Sequence, residues 1–243
     1  MATPGGIVAK NYVYGIISVE IMSILVCVIL LCYSIVGKKV RTRRDNLFVL
    51  LLGSCVAALG IDVLSWILDG SRFLSVLYIC TTLSMMMTFV LICEFVIYLT
   101  AYIRERQKIS HLFEYIYMAF TVAAAVFIIV TSVNGKLFTF ENGVYSDGPW
   151  YIGYVIINIA AMLLSLVVFF TYRRSLSKHD IIATLPYIIF PIIAAAINML
   201  DPEFSYAYPA VVLALIVVYI MLQINDEIQK EVNARKALED ANL

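Results

Sequence analysis

The stretch YVYGIISVEIMSILVCVILLCYSIVGKKVRTRR, residues 12–44, carries the reading on which everything else depends. Its first 25 residues hold a single charged side chain, Glu20, and its last eight hold five, Lys38, Lys39, Arg41, Arg43 and Arg44. About 20 mostly apolar residues, rising about 1.5 Å each, cross a hydrocarbon core of about 30 Å. Basic residues in short loops stay on the cytoplasmic side. The stretch therefore predicts a span that starts outside and ends inside. No small-residue cleavage site follows it and it is too long for a signal-peptide core, so it is expected to remain as an uncleaved first span.

Working outward, six more apolar runs follow, and the seven lie at about 12–36, 47–69, 73–101, 112–133, 151–172, 181–200 and 207–224. The whole chain is 63% hydrophobic and 14% charged, against about 45–50% and 25% in soluble domains, which excludes a water-soluble fold. The expected fold class is an all-α integral membrane protein, a bundle of seven transmembrane helices with its N-terminus outside and a cytoplasmic C-terminal helix. Of the 17 Lys and Arg residues, those after runs one, three, five and seven fall on one side, and only Lys10, Arg72 and Lys136 fall on the other. That asymmetry predicts a multi-pass protein of the cell membrane, N-out and C-in, and fits seven spans rather than six or eight.

Between the spans, residues 134–149 (NGKLFTFENGVYSDGP) alternate apolar and polar side chains among turn signals, which predicts a small hairpin capping the outer face. The loop DPEFSYAYP, residues 201–209, is acidic and aromatic, as expected of an interfacial anchor or a ligand lid. Beyond span seven, residues 225–243 turn charged and helix-favouring. Ile224, Ile228, Val232 and Leu238 recur near a helical repeat, so span seven is expected to continue as a signalling helix, either solvated or pairing in a homodimeric coiled coil.

A charge at the centre of a span costs about 2.5–3.5 kcal/mol on insertion scales, so each one points to a partner or a wet cavity. Glu20 and Asp62 both stand about seven residues below the outer ends of their spans, roughly 10 Å deep. Asn158 sits at a similar depth, with Asn198 and Asp201 slightly above. These residues, with Trp66, Tyr206 and Tyr208 at the rim, are the candidate ligand-binding set: a negative pocket open to the outside for a small extracellular ligand. Because no Lys or Arg shares that depth, the pocket either receives a cation or amine, or one acid keeps its proton, since like charges in low dielectric oppose each other's ionisation. The other reading is that these groups only bond neighbouring helices. On span two, Ser54, Ala58, Asp62, Ser65 and Asp69 share one face, and Gly53, Ala57 and Gly60 offer a small-residue face for close packing. Glu94 is expected to pair with inner-loop basic residues such as Arg104 or Arg106. Pro186 and Pro191 make span six the expected hinge.

Several classes are excluded. There is no P-loop, GxSxG, HExxH or Ser/His/Asp set, and hence no catalytic residue to name. Cys27, Cys32, Cys55, Cys80 and Cys93 form no CxxC pair, and His111 and His179 stand far apart, so no metal site and no cofactor is expected. No lysine lies within a span, which rules out a retinal Schiff base, and no repeated halves of the kind used by transporters are visible. The expected partner is the lipid bilayer; nothing suggests nucleic acid.

Three stretches, IDVLSWILDG ending span two, NGKLFTFENGVYSDGPWY before span five and ARKALEDANL at the end, make the chain resemble the seven-transmembrane N-terminal sensor region of bacterial sensor histidine kinases and diguanylate cyclases, typical of gut Firmicutes. The resemblance implies a sensor domain over 1–224 and a linker over 225–243, passing an extracellular signal to a cytoplasmic output. ARKALEDANL resembles the linker that runs into a kinase's dimerisation helices, so a histidine kinase of a two-component system is the expected output, with a diguanylate cyclase as the alternative. The 243 residues contain no phosphoacceptor histidine, ATP-binding domain or GGDEF motif, so they are read as a fragment or truncated form of such a protein, or else a stand-alone receptor. The rival from another class is a small-solute or proton-coupled transporter using Glu20, Asp62 and Glu94.

Overall fold

A computed structural model describes residues 5–36, 42–105, 107–141, 144–173, 176, 178–200, 207–221, 224 and 232. Its helices follow the apolar runs closely: α1 (Gly5–Val36), α2 (Arg43–Leu68), α3 (Leu74–Arg104), α4 (Leu112–Val133), α5 (Tyr151–Tyr172), α6 (Lys178–Leu200) and α7 (Ala207–Met221). Polar residues set the boundaries where the chain turns. Thr42 caps α2 reciprocally: its hydroxyl accepts from the Asp45 backbone N–H at 3.3 Å while the Asp45 carboxylate accepts from the Thr42 N–H at 3.0 Å. Gly70, at φ 73°, supplies the left-handed residue that reverses the chain between α2 and α3.

The helices are apolar on the outside. On α5, Ile152, Ile156, Ile159, Leu163, Val167 and Phe170 are all exposed, at steps of three or four residues that keep them on one stripe. Polar groups, in contrast, are enclosed: Glu20 and Thr100 have no exposed surface. Contiguous apolar surface of this kind seeks lipid rather than water. Five of the helices, α1 (over Val13–Val36) to α5, are long and apolar enough to cross a membrane, and the described parts of the last two form shorter apolar helices, Thr184–Ala194 and Ala207–Met221. The chain is thus a largely helical protein of membrane type.

At the centre, α3 touches α2, α4 and α5, and it carries the buried run Tyr98–Ile103. Tyr187 of α6 stacks on Phe95 of α3 with ring centroids 3.7 Å apart, and its hydroxyl donates to the Leu91 carbonyl at 3.2 Å. Val211, Val212, Ala214 and Leu215 of α7 join the same core. α1 and α2 run antiparallel, with the Cys27 and Cys55 sulfurs 3.9 Å apart.

One expectation is corrected here. A Cβ on Gly53 or Gly60 would meet nothing within 4 Å, so the glycine face of α2 is not a close helix contact; Leu51, Leu52, Cys55, Ala58 and Leu59 form the buried face instead. α6 is helical through Pro186 and Pro191, and Tyr187 between them packs against α3.

The predicted hairpin is present, β1 (Phe138–Glu141) antiparallel to β2 (Val144–Asp147), with Phe138 opposite Asp147. Phe138, Phe140 and Tyr145 cluster together, and Tyr78 of α3 meets the Phe138 ring at 5.1 Å. Phe138→Ala removes the ring at the centre of this cluster and is expected to cost about 3–5 kcal/mol of hairpin docking. Hydrogen exchange at the 138–147 amides checks this.

Candidate functional site

Five helices converge on one polar cluster below the hairpin. α1 and α2 bring the carboxyls of Glu20 and Asp62 face to face, about two turns along each helix from the Cys27–Cys55 contact in a matching antiparallel register. α3 contributes Ser84, whose hydroxyl donates to Asp62 Oδ1 at 2.6 Å. α7 contributes Tyr208, whose hydroxyl donates to the Ser84 carbonyl at 2.6 Å and lies 3.4 Å from the Thr88 hydroxyl. α5 contributes Tyr154, which faces Thr88 and Asn158. Helices related by sequences far apart are thus tied at one level, about 10 Å below the Asp69 end of α2 by helix rise.

The cluster is closed: Glu20 has no exposed surface and Asp62 has 9%. Both oxygens of Glu20, Oδ2 of Asp62 and Oδ1 of Asn158 are buried without a hydrogen-bond donor. Such atoms carry a desolvation cost of about 1–3 kcal/mol each, more when charged. The acceptors exceed the donors, and the nearest basic residues in sequence, Lys10 on α1 and Arg72 in the turn after α2, are each ten positions from Glu20 and Asp62 respectively. The arrangement is chemically suited to holding positive charge.

Of the candidate ligand-binding residues, the structure brings together Glu20, Asp62, Asn158 and Tyr208. Trp66 lies half-buried on α2 one turn nearer the hairpin. Asn198 falls within α6, but its side chain, like Asp201 and Tyr206, lies outside the described residues. Ile224 and Val232 are helical and exposed, whereas Ile228 and Leu238 lie outside the described residues. Ser84, Thr88 and Tyr154 were not legible as members. Serines and threonines are common in membrane helices, and only the α2–α3 register places Ser84 against Asp62.

Glu94 departs from its expected partner. Its Oε1 accepts from the Ser54 hydroxyl at 2.8 Å, about two turns deeper than Asp62, and its Oε2 has no donor. Arg104 pairs instead with Glu114 at the start of α4. The same carboxylate accepts from Thr100 at 3.0 Å and meets His111 Nδ1 at 2.8 Å. Arg44 bridges Asp45 and Glu105 and lies over the Tyr102 ring. This end of the bundle is a network of ion pairs holding α2, α3 and α4 together; Arg106 lies outside the described residues.

At the hairpin end, Asp69 accepts from the Tyr145 backbone N–H at 3.3 Å. Burial holds its carboxyl above the ordinary range, partly offset by the N–H groups of Tyr145 and Gly70. A raised acid contributes stability that is full below its unfolded value and is lost as pH rises through the folded one. Hairpin docking is therefore expected to weaken slightly as pH rises through and above the usual carboxylate range, and Asp69→Asn is expected to flatten that dependence while keeping an acceptor for Tyr145. Hydrogen exchange corrected for intrinsic rates checks both. A cleft of about 400 Å³ lies beside the hairpin, lined by Tyr78, Ser132, Phe138 and Phe140 among others, separate from the acid pair. Among the described residues, no group of three or more His, Cys, Asp and Glu side chains is placed to hold a metal ion.

In comparisons with known proteins, no family model and no curated protein matches the chain.

Proposed function

We propose that the chain is a transmembrane sensor module of seven spans, N-out and C-in in the cell membrane, which passes a signal from its outer polar cluster through α7 to a cytoplasmic output. The observation that carries this reading is the hydrogen-bonded route from Asp62 through Ser84 to Tyr208, which ties the buried acids to α7. α7 leads into the charged segment 225–243, and the lopsided Lys and Arg count supports its cytoplasmic placement. A change in what the acids bind alters a contact on α7. Shift or rotation of that helix is then a two-state population change read by whatever follows, with pairing of two copies through the tail helix as the route into a dimeric output. A histidine kinase is the preferred output, and a diguanylate cyclase the alternative, on the likeness of the tail to kinase linkers.

The test is a fusion of the whole chain to a kinase or cyclase reporter, with single residues inserted after Met221. Each insertion turns the helix by roughly 100°, so output is expected to oscillate with insertion number, and a flat response overturns the reading. Tyr208→Phe removes a hydrogen bond worth about 0.6–1.7 kcal/mol in membrane helices and is expected to shift the reporter's basal output without changing expression level.

One observation favours a second reading. Glu94 lies deeper than the acid pair with a buried oxygen that lacks a donor, so acids stand at two levels along the α2–α3 contact, as a proton-coupled transporter would use them. That reading predicts uptake in proteoliposomes that Asp62→Asn abolishes; a sensor gives no flux.

A further inference from the structure

We infer that Glu20 and Asp62 form a proton-binding site, one proton shared between the two carboxyls, and that its occupancy is read by Tyr208 on α7. The inference deepens the sensor reading by naming the proton as what the cluster binds, and it rests on that reading only for the output end.

The geometry carries the first half. Two carboxyl groups face each other in a region with no water-exposed surface at Glu20 and 9% at Asp62. If both were ionised, like charges would be in contact in a low dielectric, where the repulsion is far larger than in water. One proton converts the contact into a hydrogen bond of the strong, charge-assisted kind. It also gives a partner to two of the three oxygens that have no other donor, one of Glu20 and Oδ2 of Asp62. An amine or a hydrated metal ion would have to part the carboxyls to enter, whereas a proton fits the contact as it stands. Among the described residues, the charged and titratable groups facing Asp62 from α3, α5 and α7 are the phenols of Tyr154 on α5 and Tyr208 on α7; α3 presents the neutral Ser84. Among the described residues, no cation within the cluster competes for the role.

The second half follows from the donors. The remaining Asp62 oxygen, Oδ1, is held by Ser84, and the Ser84 carbonyl is held by Tyr208. When the shared proton leaves to water, Glu20–COOH against Asp62–COO⁻ becomes two carboxylates. Their repulsion moves Asp62, and the movement reaches α7 through two short hydrogen bonds. Raising the outside pH is therefore expected to separate α1 from α2 and to shift α7.

Infrared difference spectroscopy on the full chain in lipid nanodiscs at neutral pH tests the site, comparing the parent with Glu20→Gln, Asp62→Asn and Glu94→Gln. The expected result is a carbonyl stretch of a protonated carboxyl, shifted in D2O, which is present in the parent and in Glu94→Gln and lost or displaced in both of the other variants. Glu20→Gln and Asp62→Asn are close to isosteric, and if one does not fold, the other still assigns the band. Absence of the band in the parent, or its loss only in Glu94→Gln, overturns the proposal. On the reporter fusion, the parent's output is expected to change with outside pH, and Tyr208→Phe is expected to flatten that change while leaving the band in place. A pH response in Tyr208→Phe as large as the parent's overturns the coupling half. An intact band with an output that ignores pH in every form upholds the shared proton and instead counts against the sensor reading.

Discussion

Glu114→Ala is expected to destabilise the bundle by about 3 kcal/mol. Breaking a buried ion pair by removing one partner costs about 3–5 kcal/mol because the other charge is left uncompensated, and the lower end applies because the Arg104 side chain is 20% exposed. The carboxylate is the acceptor for Arg104, Thr100 and His111 together, so one substitution strips a partner from two donors on α3 and from one in the turn before α4. Arg104 has no replacement within its site, since its Nε and Nη1 already lack hydrogen-bond partners. Glu114→Gln keeps an acceptor for Thr100 and loses the charge, so a smaller loss of about 1.5–3 kcal/mol is expected. Thermal denaturation in detergent micelles, followed by circular dichroism, checks both values. The helices themselves are expected to persist, since their backbone bonds are internal; the loss falls on the packing of α2, α3 and α4.

Gly148→Ala is expected to undo the hairpin at a cost of about 2–4 kcal/mol, combining overpacking at about 1–3 kcal/mol with lost hydrogen bonds at about 1 kcal/mol. A Cβ at this position would lie 2.3 Å from the Lys136 carbonyl oxygen and 2.8 Å from the Leu137 carbonyl carbon. Both are backbone atoms that cannot swing aside. The crossing is tight because the Gly148 N–H donates to the Leu137 carbonyl and the Trp150 N–H to the Lys136 carbonyl, each at 2.9 Å. Opening it releases Leu137 and Phe138, which are fully buried, from α3 and α4. Protection of the 138–147 amides in hydrogen exchange is expected to fall to that of free peptide while the helical signal is unchanged.

Much of the architecture was legible because a bilayer makes so few demands, and these are written in length and composition. The run 112–133 and α4 coincide, as do 151–172 and α5. The hairpin was legible from Asn142-Gly143 and its alternating neighbours. Glu20 and Asp62 stood out because a carboxyl in an apolar run is costly and needs a partner, and their shared depth follows from helix rise alone. What escaped was everything set by rotation of one helix against another. Ser84 and Thr88 are unremarkable until α3 turns them toward Asp62 and Tyr208. Glu94 faces Ser54 rather than a basic loop because its position on α3 points toward α2, and Glu114 took Arg104 because α4 begins beside the end of α3. The small residues Gly53 and Gly60 fit a packing motif by spacing, yet they lie on the wrong side of α2. Pro186 and Pro191 both lie inside a continuous α6, and the contact of Tyr187 with Phe95 of α3 could not be read from spacing.

The orientation of the chain is the central claim, because an outer acid cluster and an inner output helix exist only if the two ends lie on opposite sides of the membrane. Paired reporters fused in turn near Met1 and after Leu243, one active only outside the cytoplasm and one only within it, read this directly in intact cells. The account predicts an outside signal at the N-terminus, an inside signal at the C-terminus, and an outside signal for a reporter placed in the hairpin at 142–143. Both ends reporting the same compartment, or the hairpin reporting the cytoplasm, would contradict it.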